Sequence, residues 1–76
     1  MVYIESNVET VVKYMKRVNK KIISVAELNR FRLGNKRTRN VTLYTLMVLV
    51  ERSSCFEVMY VYDEEESLLK TMYRLK

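Results

Sequence analysis

The chain has 76 residues, 49% of them hydrophobic, a formal net charge of +5, one Cys and no His. That length makes a single domain, residues 1–76, with a limited core. The lone Cys55 and the absent imidazoles exclude an internal disulfide and a Cys/His zinc site; the expected aid to stability is a second subunit, and no cofactor, metal or small-molecule ligand is evident.

Residues 1–5 lack the basic-then-apolar pattern of a secretory leader. The first helical signal is Ser6-Asn7-Val8-Glu9, which has capping-box spacing. Val8, Val11, Val12, Met15 and Val18 then recur at helical spacing, with Lys13, Lys16, Arg17 and Lys20 on the opposite face. A first helix over residues 7–20 is predicted. Lys21-Ile22-Ile23 is a short β-prone link. Ser24-Val25-Ala26-Glu27 offers a second capping box, and Val25, Leu28 and Phe31 form a stripe behind it. A second helix over residues 25–33 should end on Gly34 in the left-handed conformation.

Residues 35–40 are polar and basic, and residues 41–50 form the longest apolar run. That run falls well short of the roughly 20 residues that span a bilayer. The expected setting is therefore cytoplasmic, without a membrane; the nucleic-acid reading given below makes it nucleoid-associated. Phe56, Val58, Tyr60 and Tyr62 alternate with other residue types and read as a strand. Residues 63–67 are an acidic turn, and residues 68–76 close the chain.

Charge is unevenly distributed. Residues 13–39 hold ten Lys or Arg against one acid, Glu27, a net of +9. Residues 41–76 hold four basic and six acidic residues, a net of −2. A polyphosphate suits such a concentration, because neutralising phosphates releases condensed counterions. A solvated, solubilising surface is the bland alternative.

The order of helix, short strand, helix, turn, helix and hairpin resembles the winged helix-turn-helix family. The likeness rests on Ser24-Val25-Ala26-Glu27-Leu28 at the opening of the second helix, on Leu46-Met47-Val48-Leu49-Val50-Glu51-Arg52 at the end of a third, and on Tyr73-Arg74-Leu75 in the closing strand. Small archaeal and archaeal-virus regulators of this type are similar. The resemblance implies a mainly α fold with a small β-hairpin, and a DNA-binding transcriptional regulator that places its third helix, about residues 38–52, in the major groove of duplex DNA. It implies base-reading roles for Arg37, Thr38, Arg39, Asn40 and Thr42, since Arg suits guanine edges and Asn suits adenine edges. Phosphate contacts are expected from Lys20, Lys21, Arg30, Arg32 and Lys36, and from Lys70 and Arg74 on the wing flanks.

Two features depart from the family pattern. The wing tip, Asp63-Glu64-Glu65-Glu66, would repel phosphate. The third helix is apolar on nearly every side, with Leu43, Leu46 and Val50 in one stripe and Val41, Tyr44 and Val48 in another. A helix apolar all round is buried on both sides, so Val41, Tyr44 and Val48 are the expected interface of a homodimer.

The same residues admit a second fold. Residues 41–50 are rich in Val, Thr and Tyr, which favour strands, and Asp63 with Glu66 has capping-box spacing ahead of residues 63–76. That gives an α+β protein-interaction module with helices on a two- or three-stranded antiparallel sheet. RNA binding is a further alternative, since the rings of Tyr3, Tyr60, Tyr62 and Tyr73 are able to stack on unpaired bases, although packing is the commoner fate of strand tyrosines. Cys55 is expected as a small buried apolar group. No enzyme is expected: the chain has no His as general base and one Gly, too few for a phosphate-cradling loop.

Overall fold

A computed structural model describes residues 6–76; Tyr3 lies outside them. Six elements follow in chain order: α1 (Asn7–Arg17), β1 (Ile22–Ser24), α2 (Val25–Leu33), α3 (Leu43–Arg52), β2 (Phe56–Asp63) and β3 (Leu68–Leu75). The strands form one antiparallel sheet in the order β1-β3-β2. The architecture is α+β, three helices with a three-stranded antiparallel sheet. It is less helical than a mainly α chain with a small hairpin, because β2 and β3 each run for eight residues.

Local chemistry explains the helix ends. The Ser6 hydroxyl accepts from the Glu9 amide at 3.1 Å and starts α1. The helix stops at Arg17, three residues short of the expected end, because Asn19 takes a left-handed φ of 56°. The Lys20 amide reaches back to the Met15 carbonyl at 2.8 Å, and the Asn19 amide to Lys16 at 3.2 Å. This pair of bonds is a Schellman closure, and Asn tolerates the left-handed region better than most side chains. In α2 the Ser24/Glu27 capping box forms in both directions. Gly34 follows that helix at φ −89°, so it is not left-handed as expected. The left-handed closure belongs to Asn19.

Residues 41–50 do not form a strand. From Leu43 they make α3, since Leu46 and Val50 are buried one turn apart while Tyr44 on the far side is exposed. The helical period matches the shape of the core, and packing overrides intrinsic strand preference. Residues 63–76 do not form a helix. The Asp63 carboxylate accepts from the amides of Glu65 at 2.9 Å and Glu66 at 3.2 Å, but this turn closes a hairpin. Ser67, at φ 52°, completes the reversal. Alternate residues of β3 then face the helices.

Every element contributes to the core: Val11 and Met15 from α1, Ile23 from β1, Leu28 from α2, Leu46 and Val50 from α3, Phe56 from β2 and Tyr73 from β3. Ile23, Tyr73 and Val58 lie in one cross-strand row. The Tyr73 hydroxyl donates to Glu51 Oε2 on α3 at 3.1 Å. Beyond this row the hairpin outruns the helices, and the molecule measures 49 × 24 × 23 Å. Cys55, in the turn before β2, is exposed rather than buried.

Two outcomes follow from these ends and this core. A Cβ on Gly34 would meet the Arg30 carbonyl at 3.5 Å, an ordinary contact. Gly34→Ala should therefore leave stability unchanged or raise it by about 0.4–1 kcal/mol in urea unfolding; a left-handed requirement would show instead as a loss of about 1–2 kcal/mol. Burial pushes the Tyr73 phenol above its usual value of 10, and the Glu51 carboxylate adds to the shift. Folding thus favours the neutral phenol. That contribution is whole below pH 10 and is lost as pH rises beyond it, because the unfolded chain releases this proton first. Unfolding free energy should fall more steeply above pH 10 in the parent than in Tyr73→Phe, measured by denaturant titration across pH 9–11.

Candidate nucleic-acid interface

The polar segment between α2 and α3 is a turn, residues 36–40, rather than the first turns of a helix. Asn35 organises it. Its side-chain oxygen accepts from the Arg37 amide at 2.9 Å, and its carbonyl accepts from the amides of Thr38 at 3.2 Å and Arg39 at 2.9 Å. Thr38 is fully buried, and its hydroxyl donates to the Arg32 carbonyl at 3.0 Å. Arg32 closes the lock from the other side. Its guanidinium donates to the carbonyls of Val41 at 2.8 Å and Arg39 at 3.4 Å. Its Nε and Nη2 also donate to Asn29 Oδ1, at 3.1 and 2.9 Å.

Two of the sequence-derived site residues are therefore structural. Thr38 cannot read a base, because its hydroxyl is committed inside the fold. Arg32, expected at phosphate, instead directs four of its five N–H donors to holding the turn onto α2. With Thr38 as the inward pivot, the neighbours Lys36, Arg37, Arg39 and Asn40 are exposed. Thr42 is exposed as well, but its hydroxyl accepts from the Thr45 amide at 3.1 Å and caps α3. The helix start lies directly behind this basic turn, so the positive end of its dipole adds to the cations.

Other expected phosphate contacts are already neutralised. Lys20 pairs with Glu27, whose carboxyl is held below its usual range by that lysine and by the Ser24 bonds. Lys70 pairs with Asp63 at 2.9 Å and Glu66 at 3.1 Å. Arg74 pairs with Glu57 at 2.9 Å. Lys21 is exposed beside β1, and Arg30 is exposed on α2.

The structure also brings Lys13 and Arg17, cations on the outer face of α1 that were not among the expected contacts, beside residues that were. Two adjoining open grooves share an aromatic floor between α1, α2 and the turn: one is lined by Arg17, Arg30 and Glu27, the other by Lys13, Arg17, Lys36 and Arg37. Tyr14 and Phe31 form that floor, with ring centroids 4.5 Å apart, and Arg17 lies 5.9 Å from the Tyr14 centroid. The Lys13/Arg17 spacing of four was visible in the sequence. Its approach to Arg30 and Lys36 was not, because it depends on how α1 crosses α2.

The expected dimer stripe also separates. Val41 packs against this chain's own core, Val48 is half-buried, and Tyr44 is 76% exposed in the first turn of α3. Among the described residues no group of three or more His, Cys, Asp or Glu is placed to hold a metal ion, and no helix is long and apolar enough to cross a membrane. Compared with protein-family models, curated proteins and solved structures, the chain matches none.

The lock predicts a separation between two substitutions. Thr38→Val keeps the shape but removes the donor to Arg32, and should cost about 1 kcal/mol in thermal or urea unfolding. It should also weaken hydrogen-exchange protection at the Arg39 and Val41 amides. Thr38→Ser, which keeps the hydroxyl, should retain most of both.

Proposed function

We propose that the chain binds duplex DNA as a transcriptional regulator of winged helix-turn-helix form, with the 36–40 turn and the first turn of α3 set against the major groove. The observation that carries the reading is the locked turn: Lys36, Arg37, Arg39 and Asn40 exposed together at the start of α3, on a pivot made by buried Thr38. The helix-strand-helix-helix-hairpin order and the β1-β3-β2 sheet support the winged-helix form.

Roles follow from geometry. Arg39 and Asn40 stand next to the helix start and are the base-reading candidates, since both side chains can make paired hydrogen bonds to purine edges. Tyr44 and Thr45, exposed in the first turn of α3, extend that surface. Lys36, Arg37, Arg30 and the groove cations Lys13 and Arg17 suit phosphate oxygens, which position the protein without reading sequence. Lys21 is the flanking phosphate candidate beside β1. The wing takes no part in groove contact, because its tip is acidic and Lys70 and Arg74 are engaged by carboxylates. Rigidity matters here: the Arg32 and Asn35 bonds hold the turn in place before a ligand arrives, which lowers the ordering cost of binding.

Fluorescence anisotropy on labelled duplexes at several salt concentrations tests the assignment. The logarithm of affinity should fall linearly with the logarithm of salt, at about 0.9 per phosphate neutralised. Lys36→Ala should reduce that slope by about 1 while weakening all sequences alike. Arg39→Ala should cost about 1–3 kcal/mol on a preferred sequence and less elsewhere. Lys70→Ala should bind like the parent. Parent-like binding by both Lys36→Ala and Arg39→Ala would show this surface to be the wrong one, and tighter binding to structured RNA in competition would move the ligand class.

A further inference from the structure

The two edges of the sheet are built differently. The β1 edge is three residues long and flanked by Lys21. The β2 edge is eight residues, Phe-Glu-Val-Met-Tyr-Val-Tyr-Asp, without Lys, Pro or Gly. Lys and Pro usually blunt an edge against pairing with another chain, and the two charges of β2, Glu57 and Asp63, are paired within the hairpin. Among the described residues no strand covers β2 on its outer side.

The backbone pattern identifies which groups are left open. The Lys76 amide bonds the Cys55 carbonyl at 2.9 Å, while the Leu75 amide turns the other way, to the Lys21 carbonyl at 2.8 Å. With the register Phe56↔Leu75, alternation gives the odd-numbered residues of β2 to β3. The amides and carbonyls of Val58, Tyr60 and Tyr62 then point outward from the edge. Their side chains share the helix-side face, and Tyr60 and Tyr62 are 68% and 58% exposed. Val61, Leu68 and Leu69 are also exposed on this projecting arm.

We propose that β2 is the contact surface for a second copy of this chain, paired antiparallel to itself around Tyr60. The result is a continuous six-stranded sheet with a two-fold axis. A two-fold pairing is self-complementary by symmetry. Tyr60 lies opposite its counterpart, and Tyr62 opposite Val58 of the other copy. Even residues meet even residues, so the open backbone groups match and both helical layers stay on one side.

Charge favours a copy of the same chain as occupant. Residues 56–75 carry five acids and two bases, a net of −3, so with a total of +5 the rest of the chain carries +8. Antiparallel pairing lays each acidic tip against the base of the other copy's hairpin, beside its Arg52 and its basic helical body. Glu57 falls opposite Asp63, but each is already matched within its own hairpin, by Arg74 and Lys70. This surface is distinct from the basic turn and stands independently of the nucleic-acid reading.

Light scattering after size exclusion, on the full chain without nucleic acid, is the test. The parent should show twice the 9.2 kDa chain mass. Tyr60→Pro removes an outward amide without touching the bonds to β3, a change edge strands accept. It should run at the single-chain mass with an unchanged far-UV spectrum. Tyr60→Lys decides the matter if the proline variant fails to fold, and should weaken association at least about 30-fold, as loss of a central interface aromatic does. Tyr44→Lys, on α3, should remain dimeric. A parent that is monomeric at every concentration, a folded Tyr60→Lys that still dimerises, or dissociation by Tyr44→Lys would overturn the proposal.

Discussion

The side chain of Tyr73 occupies the point where sheet and helices meet, and its placement constrains most of what surrounds it. It lies between Ile23 and Val58 across the three strands, with no exposure to solvent. A ring of that size fills the space that a small chain would otherwise struggle to close. Its hydroxyl needs a partner once buried, and Glu51 on the last turns of α3 supplies one. The bond ties the end of α3 to the centre of the sheet, so the start of α3 is carried to the far side of the core, where the basic turn sits.

That turn shows how a polar segment becomes rigid without an apolar anchor. Buried Thr38 has its hydroxyl satisfied by a helix carbonyl, and Arg32 spends its charge on backbone oxygens rather than on a ligand. Both residues look like contact residues in a list of cations and hydroxyls. Their actual work is to aim the neighbours outward. The basic character of residues 13–39 is thereby divided into a structural part, Arg32 and Lys20, and a surface part that includes Lys36, Arg39 and Arg30.

The hairpin carries the opposite character. Both of its cations are paired with its own carboxylates, its tip is acidic, and its distal half exposes tyrosines and aliphatic groups. Such an arm has little to offer a polyanion. It has more to offer another strand, because its outer edge lacks the Lys and Pro that ordinarily discourage pairing. The molecule thus separates an exposed basic turn from an open strand edge.

Local chemistry was legible in the sequence wherever a few neighbouring residues determine the outcome. The caps at Ser6 and Ser24, the apolar face of α1, the extent of α2 and the alternation in β2 all follow from spacing of three, four or two. The basic segment was visible as well. What the sequence left open were choices between two locally adequate answers. Residues 41–50 suit a strand or a helix, and residues 63–76 carry a helix cap signature within a segment that becomes a hairpin. Tertiary packing decided both: Leu46 and Val50 meet the core only at helical spacing, and Tyr73 reaches it only from the middle strand of a sheet. The inward turn of Thr38, the engagement of Arg32 by backbone carbonyls, and the meeting of Arg17 with Arg30 and of Lys13 with Lys36 likewise depend on contacts between separate elements. No period within a single segment encodes them, because they arise only when folded elements are set side by side.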